Sequence, residues 1–250
     1  MRIGLLRLAG MFGARSTHLF TLARTPVYAD AGFLILLVFI TISSLDEGPI
    51  GILSAAVALT LSILIHEFGH VIAAKMNGFR SEVVLTGLGG YTVPDGQSHG
   101  WRAIWLSFAG PFFGLIGWAI AWFVFMPEGA KEAGMRTNWT AIWHPVVVYR
   151  FTDHAPTGFD MLWIRLVLFG LFLNLFNLLP IFPLDGGHIL FRLLRFWKRA
   201  YEAERISAIV GIAVGAAAAI YMGQRGNLFG AVILAMLTMQ NFQRLKSRGM

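Results

Sequence analysis

Cysteine is absent from the 250 residues, which excludes disulfides, thiolate metal ligands and cysteine nucleophiles together. Charge is scarce as well. Asp, Glu, Lys and Arg make up 13% of the chain, against about 25% in a typical soluble domain, so the usual solvated surface is missing. No internal repeat and no low-complexity segment stands out, and no segment between the apolar runs is long enough for a second globular domain. What the chain has in quantity is apolar residues, 56% of the total, with a mean hydropathy of +0.66. The net charge of +7 comes from Lys and Arg that flank apolar runs instead of forming one stripe, which argues against a nucleic-acid partner. A multi-pass membrane protein in contact with the lipid bilayer is the class that remains.

A helix needs about 20 predominantly apolar residues to cross the hydrocarbon core. Six stretches approach that length, near 29–45, 49–75, 102–126, 161–184, 205–222 and 227–243. The expectation is an all-α polytopic membrane protein, a single domain over 1–250 with a core at about 45–200 and C-terminal helices at about 205–243. The basic N-terminal tail resembles a signal peptide's n-region, but no small-x-small cleavage pattern follows the first apolar run, so an uncleaved helix is expected. Placing the N-terminus inside puts 15 of the 20 Lys and Arg on the cytosolic side and 5 outside. Both termini are then cytosolic, in a plasma or inner membrane, with the run Arg192, Arg195, Lys198 and Arg199 meeting anionic headgroups.

Two connections are more than turns. Residues 77–101 hold Ser81-Glu82-Val83-Val84-Leu85 and then Gly87-Leu88-Gly89-Gly90-Tyr91-Thr92-Val93-Pro94, β-branched residues punctuated by glycine. That pattern predicts a small membrane-associated β element between the second and third spans. The connection 127–160 is polar, with Trp139 and Trp143 as interface anchors.

His66-Glu67-Phe68-Gly69-His70 carries the chemistry. On a helix, positions i and i+4 share a face, so the two imidazoles can grip one Zn²⁺ while Glu67 stands beside it as a general base. The alternative is a pair of histidines and a glutamate that only hydrogen-bond within the bundle. Depth in an apolar helix weighs against that, because ionisable groups in a span are costly and usually functional.

Catalytic zinc commonly takes three protein ligands and a water. Asp185 follows Asn177-Leu178-Leu179-Pro180-Ile181-Phe182-Pro183-Leu184 and precedes Gly186-Gly187, at the expected cytosolic end of the fourth span. Its expected depth therefore matches that of His66 and His70. The competing reading makes Asp185 the N-cap of the segment that begins at Gly186. His188 is the rival ligand, one turn on, while Asp95, His99 and His18 are weaker candidates and His144 and His154 fall in the outer loop.

An intramembrane His-Glu-x-x-His followed by Asn-x-x-Pro-x-x-Pro-Leu-Asp-Gly-Gly resembles the site-2 protease family of intramembrane zinc metalloproteases. Ala109-Gly110-Pro111 is similar to that family too, and the resemblance covers about residues 45–200. It implies one zinc per chain held by His66, His70 and Asp185, with Glu67 as the catalytic base and Asn177 in substrate or oxyanion contact. The substrate it implies is a single-pass membrane protein cut within or near its transmembrane segment. No PDZ-like insertion separates the second and third spans and no CBS domain fits after about Arg244, so a minimal, membrane-only member is expected.

Peptide hydrolysis of a helix requires local unwinding, and the edge of the 81–93 element could take the unwound segment as an added strand. Gly89, Gly90, Tyr91 and Thr92 are the candidate clamp; the bland alternative is a re-entrant plug that keeps lipid from the site. Asn177 has its own alternative, repair of backbone hydrogen bonds broken by Pro180, with Asn174 in reserve. Two other functions compete with proteolysis: a catalytically silent helix-binding protein and a metal-ion transporter. Glu67 argues against the first, and candidate ligands clustered at one depth argue against the second.

Overall fold

The computed structural model describes residues 16–42, 44–132 and 157–247. His144, His154, Trp139 and Trp143 lie outside them. The described elements are β1 (Thr17–Leu22), β2 (Thr25–Ala29), α1 (Ala31–Ile42), α2 (Gly48–Met76), β3 (Ser81–Thr86), β4 (Gly89–Pro94), α3 (Gly100–Phe123), α4 (Glu128–Glu132), α5 (Gly158–Asn177), α6 (Asp185–Leu194), α7 (Ala200–Gln224) and α8 (Leu228–Ser247). Four stretches among the described residues are long and apolar enough to cross a membrane: Leu45–Met76, Gly100–Phe123, Gly158–Asn177 and Ala200–Gln224. The protein is an integral membrane protein.

The other two expected spans have a different character. The stretch near 29–45 forms α1, which has 12 residues and at 1.5 Å per residue reaches about 18 Å, short of a full crossing. The last forms α8, which carries Arg244 and Lys246 in its final turn. The fourth span ends as a helix at Asn177 instead of continuing to residue 184, since Pro180 and Pro183 cannot prolong it.

α2 shows how a membrane helix sorts its faces. Ile50, Leu53, Val57, Leu61, Ile65 and Ile72 point outward, at least 36% exposed, at the three- and four-residue spacing of one helix face. The buried face holds mainly small and polar residues, among them Gly51, Ser54, Ala55, Ala58, Ser62, His66 and Glu67, with Leu59, Ile63 and Val71 as its larger apolar members. Large apolar residues outside and polar residues inside is the arrangement lipid selects, since small residues admit close helix contacts and polar groups find partners only within the protein.

Contacts divide the chain into two compact units. The first comprises residues up to Gly96 and from Phe113 to Phe172; the second comprises Gln97–Phe112 and Leu173–Met250. α3 and α5 each contribute to both.

In the first unit a four-stranded sheet runs in the order β1-β2-β3-β4. β3 and β4 form the expected antiparallel hairpin, with Val83 opposite Thr92 and Leu85 opposite Gly90. β2 joins β3 in parallel, Val27 opposite Val83. Thr25, Val27 and Ala29 on β2 and Ser81, Val83 and Leu85 on β3 are buried, the period-two alternation of a sheet covered on one face. α2 packs on β3 and β4. The β1–β2 hairpin was not expected from the sequence. Its turn, Ala23-Arg24, has φ of 48° and 63°, a conformation usually signalled by Asn or Gly, and Lys75 Nζ donates to the Ala23 carbonyl at 2.6 Å. Away from the sheet, Trp163 Nε1 donates to the Ala121 carbonyl at 2.6 Å, and its ring stacks on Trp122. Trp122, Met126, Val167 and Leu171 share this core.

In the second unit α7 and α8 lie along each other. Gly211 and Gly215 permit the approach: a Cβ on Gly211 would sit 2.5 Å from Asn241 Oδ1, and one on Gly215 would sit 2.3 Å from Thr238 Oγ1. Ile181, Leu234 and Leu237 are buried between the 178–184 segment and these helices.

Candidate active site

The His-Glu-x-x-His motif falls in the third quarter of α2, where intrahelical hydrogen bonds hold residues 66 and 70 one turn apart. His66 is 4% exposed and Glu67 3%, while His70 is half-buried. The two Nε2 atoms stand 3.3 Å apart, and the rings meet nearly edge to face at 80°. Two nitrogens bound to one Zn²⁺ at about 2.05 Å and a tetrahedral angle lie about 3.3 Å apart. The pair therefore already has the spacing of two ligands of one tetrahedral metal.

Glu67 is held from the sheet. Thr92 on β4 places its hydroxyl 2.7 Å from Glu67 Oε2 and 3.1 Å from the Glu67 carbonyl oxygen, and donates to them. Gly90, two residues earlier on the same strand face, leaves no room for a side chain: a Cβ there would come within 2.8 Å of Glu67 Cγ and 2.9 Å of Oε1. β4 thus packs its backbone against the glutamate and fixes the carboxylate with one hydroxyl. β4 is one of the two end strands of the sheet order, the other being β1. Gly89, buried, takes a positive φ of 116° at the hairpin turn. Tyr91 points away, 42% exposed; partial burial, then the nearby Asp30 carboxylate, push its phenol above the ordinary tyrosine range.

Asn177 and Asp185 belong to the second unit. Asn177 ends α5 and donates one amide N–H to the Leu173 carbonyl at 2.9 Å, as expected of a side chain that repairs the end of its own helix. Asn174, one turn earlier, is fully buried. Asp185 is the first residue of α6, whose N-cap is Leu184. The capping position that competed for Asp185 is therefore filled by a leucine. The two glycines that follow are required by close backbone: a Cβ on Gly186 would lie 2.2 Å from the Leu178 carbonyl oxygen, and one on Gly187 would lie 2.7 Å from Phe182 N. They let α6 start directly on the 178–182 segment.

The rival histidines scatter. His188 packs its half-buried ring edge-on against Phe182 at 5.0 Å. Asp95 closes the β3–β4 hairpin, accepting from Arg80 N–H at 2.9 Å. His99 is exposed, and exposed His18 pairs with Thr21 and Tyr28. Two further residues lie where local pattern does not put them: Arg192, expected with the run that meets anionic headgroups, turns inward, and Asn241 sits deep in the protein. Arg192 of α6 donates to the Ala103 carbonyl and to Ser107 Oγ, and burial lowers its guanidinium below the ordinary arginine range against an opposing pull from Asp185. Asn241 of α8 is completely buried and hydrogen-bonds to the backbone of Phe182.

The family model of peptidase family M50 matches residues 54–222, well over half of the chain and the whole stretch that carries both motifs. The chain belongs to peptidase family M50. Among relatives, a zinc metalloprotease of Methanocaldococcus jannaschii is 26% identical over 197 residues, covering 78% of this chain and 50% of its own. Rip3 of Mycobacterium tuberculosis is 33% identical over 194 residues, covering 73% of this chain and 42% of that one. This M50 chain thus spans about half the length of the curated relatives it matches. Its fold is similar to that of a site-2 protease from Methanocaldococcus jannaschii, with a TM-score of 0.60, 23% identity, and coverage of 92% of this chain and 95% of the other.

Proposed function

We propose that this M50 member is a zinc-dependent endopeptidase that cuts a membrane-anchored protein within or near its transmembrane segment. The observation that carries the reading is the pair of imidazole nitrogens 3.3 Å apart on a buried helix face, with Glu67 pinned beside them by Thr92. His66, His70 and, by the Asn177–Gly187 motif, Asp185 are the ligand set. Zinc, when bound, supplies a Lewis acid that acidifies water and polarises the scissile carbonyl.

The chain's own residues do the rest. Glu67 accepts a proton from the attacking water and passes it to the leaving amine. Thr92 keeps the carboxylate aimed through its hydrogen bond to Oε2. Asn177 has a second amide N–H beyond the one given to Leu173, and a developing oxyanion is its use in this reading. The outer edge of β4, at Gly89, Gly90, Tyr91 and Thr92, pairs with no other strand among the described residues and receives an unwound substrate segment as an extra strand. Because β4 also carries Thr92, the strand that binds substrate is the strand that aims the base. The excess of Lys and Arg on the expected inner segments supports a cytosolic location for both termini and the site.

The test is cleavage of a single-pass reporter protein in proteoliposomes. Wild type should cut it and stop on addition of a zinc chelator, while Glu67→Gln, folded and zinc-loaded, should not cut. A Glu67→Gln variant with full activity would overturn the reading.

A further inference from the structure

α8 contributes no ionisable group to the chemistry, yet it grips the residue that leads into the third-ligand helix at two points. Asn241 Nδ2 donates to the Phe182 carbonyl at 2.7 Å, and its second amide hydrogen goes to the Leu237 carbonyl at 2.8 Å. Its Oδ1 accepts from Phe182 N–H at 3.3 Å. One carboxamide thus satisfies both backbone groups of Phe182, three residues before Asp185, in a place with no access to water: Asn241 is 0% exposed and Phe182 3%. The second point is Arg244, one turn further along α8, whose guanidinium lies 4.2 Å from the Phe182 ring centre. Gly211 on α7 makes the room, since a Cβ there would strike Asn241 Oδ1 at 2.5 Å.

The segment supplies only part of its own hydrogen bonding: Ile181 N–H donates to the Leu179 carbonyl at 2.7 Å and Leu184 N–H to the Ile181 carbonyl at 2.8 Å, while the backbone of Phe182 turns to Asn241. Pro180 and Pro183 lack N–H groups and flank Ile181-Phe182, so no helix or sheet ladder runs through the segment. Buried backbone groups without partners are rare because each costs the desolvation of a polar group. An asparagine side chain, with a donor and an acceptor on one flat group, mimics the missing peptide partner. Leucine and alanine can do neither.

We infer that Asn241 is a positioning residue for the metal site: it sets the backbone of Ile181–Leu184 and thereby the place of Asp185 at the start of α6. The inference rests on the zinc reading above. It makes α8 a structural arm of the active site, so changes far from the two motifs should act on metal affinity through Phe182.

The experiment compares wild type with Asn241→Ala, Asn241→Leu and Thr238→Val, the last a packing control one turn away that faces Gly215. Two readouts are taken: zinc affinity by chelator competition, and backbone amide exchange of the 178–187 peptide in metal-free protein. Removing a group that orients a ligand typically costs 10- to 100-fold in metal affinity. Both Asn241 variants should lose about 10- to 100-fold in zinc affinity and exchange the 178–187 amides faster, with Asn241→Ala included in case the leucine variant does not fold. Thr238→Val should change neither. Unchanged exchange in Asn241→Ala overturns the inference, whether or not zinc binds, because the splint is then not what holds the segment. Faster exchange with undiminished zinc affinity also overturns it, because Asp185 is then placed by something else. Absence of zinc from folded wild type overturns the functional reading instead, and the exchange result still decides the splint.

Discussion

Replacing Gly90 by alanine puts a methyl carbon 2.8 Å from Glu67 Cγ, 2.9 Å from Oε1 and 3.1 Å from Cδ. Something must move. The Gly90 backbone is tied into the β3–β4 hairpin opposite Leu85, which is itself completely buried, so the strand has little freedom to retreat. The Glu67 side chain is the softer party, and rotating it away breaks the 2.7 Å contact with Thr92. Overpacking of this kind costs about 1–3 kcal/mol in stability. Misplacing a catalytic group by about 1 Å costs on the order of 100-fold in rate. Gly90→Ala should therefore fold with its melting temperature lowered by a few degrees, bind one zinc, and lose about 100-fold in turnover. Thr92→Val, which only removes the hydroxyl, forfeits one hydrogen bond to a charged group, about 1.5–3 kcal/mol, and should lose about 10- to 100-fold. Since both act through Glu67, the double variant should be little worse than Gly90→Ala alone. Single-turnover cleavage of the reporter, with zinc counted by mass spectrometry, measures this. Turnover of Gly90→Ala within about threefold of wild type, or fully additive losses in the double variant, would refute the idea that β4 aims the base.

Asn177→Ala should lower turnover by about 100-fold with zinc retained if the amide contacts an oxyanion; a loss under about threefold assigns it to the Leu173 carbonyl alone. Gly186→Ala drives a Cβ to 2.2 Å from the Leu178 carbonyl oxygen, a backbone clash with no flexible partner, and should abolish zinc binding or accumulation of folded protein. Glu47→Ala removes the carboxylate that Arg165 holds beside Ser44 and Ser54. Arg165 is largely buried but Glu47 is half open to solvent, so the loss should be about 1–2 kcal/mol and not the 3–5 kcal/mol of a fully buried pair, read as a lowered melting temperature in detergent. Tyr91→Phe should leave cleavage unchanged at neutral pH, because the phenol is already protonated there and β4 would bind substrate through its backbone.

The parts legible in the sequence are those encoded by local spacing. His66, Glu67 and His70 sit at i, i+1 and i+4, and a helix converts that spacing directly into one face. The β3–β4 hairpin is likewise written in neighbouring residues. The β1–β2 hairpin escaped because its Ala23-Arg24 turn uses positive φ without glycine or asparagine, so the usual turn signal is missing. Thr92 reads as a substrate contact from its place in a glycine-rich strand. Its hydrogen bond to Glu67, 25 residues away in the chain, depends on how β4 crosses α2, which no local pattern records. Asn241 escaped for a similar reason: one polar residue near the end of an apolar helix looks interfacial until the 178–184 segment is seen to need it.

Zinc content of detergent-purified protein is the measurement on which the functional reading stands or falls, taken for wild type, His66→Ala, Asp185→Ala and Glu67→Gln, with folding checked by circular dichroism. About one zinc per chain in wild type and Glu67→Gln, lost from the His66 and Asp185 variants, is the predicted result. Well-folded wild type without zinc after incubation with the metal, or full occupancy in Asp185→Ala, would contradict it, the second by returning the third-ligand role to His188.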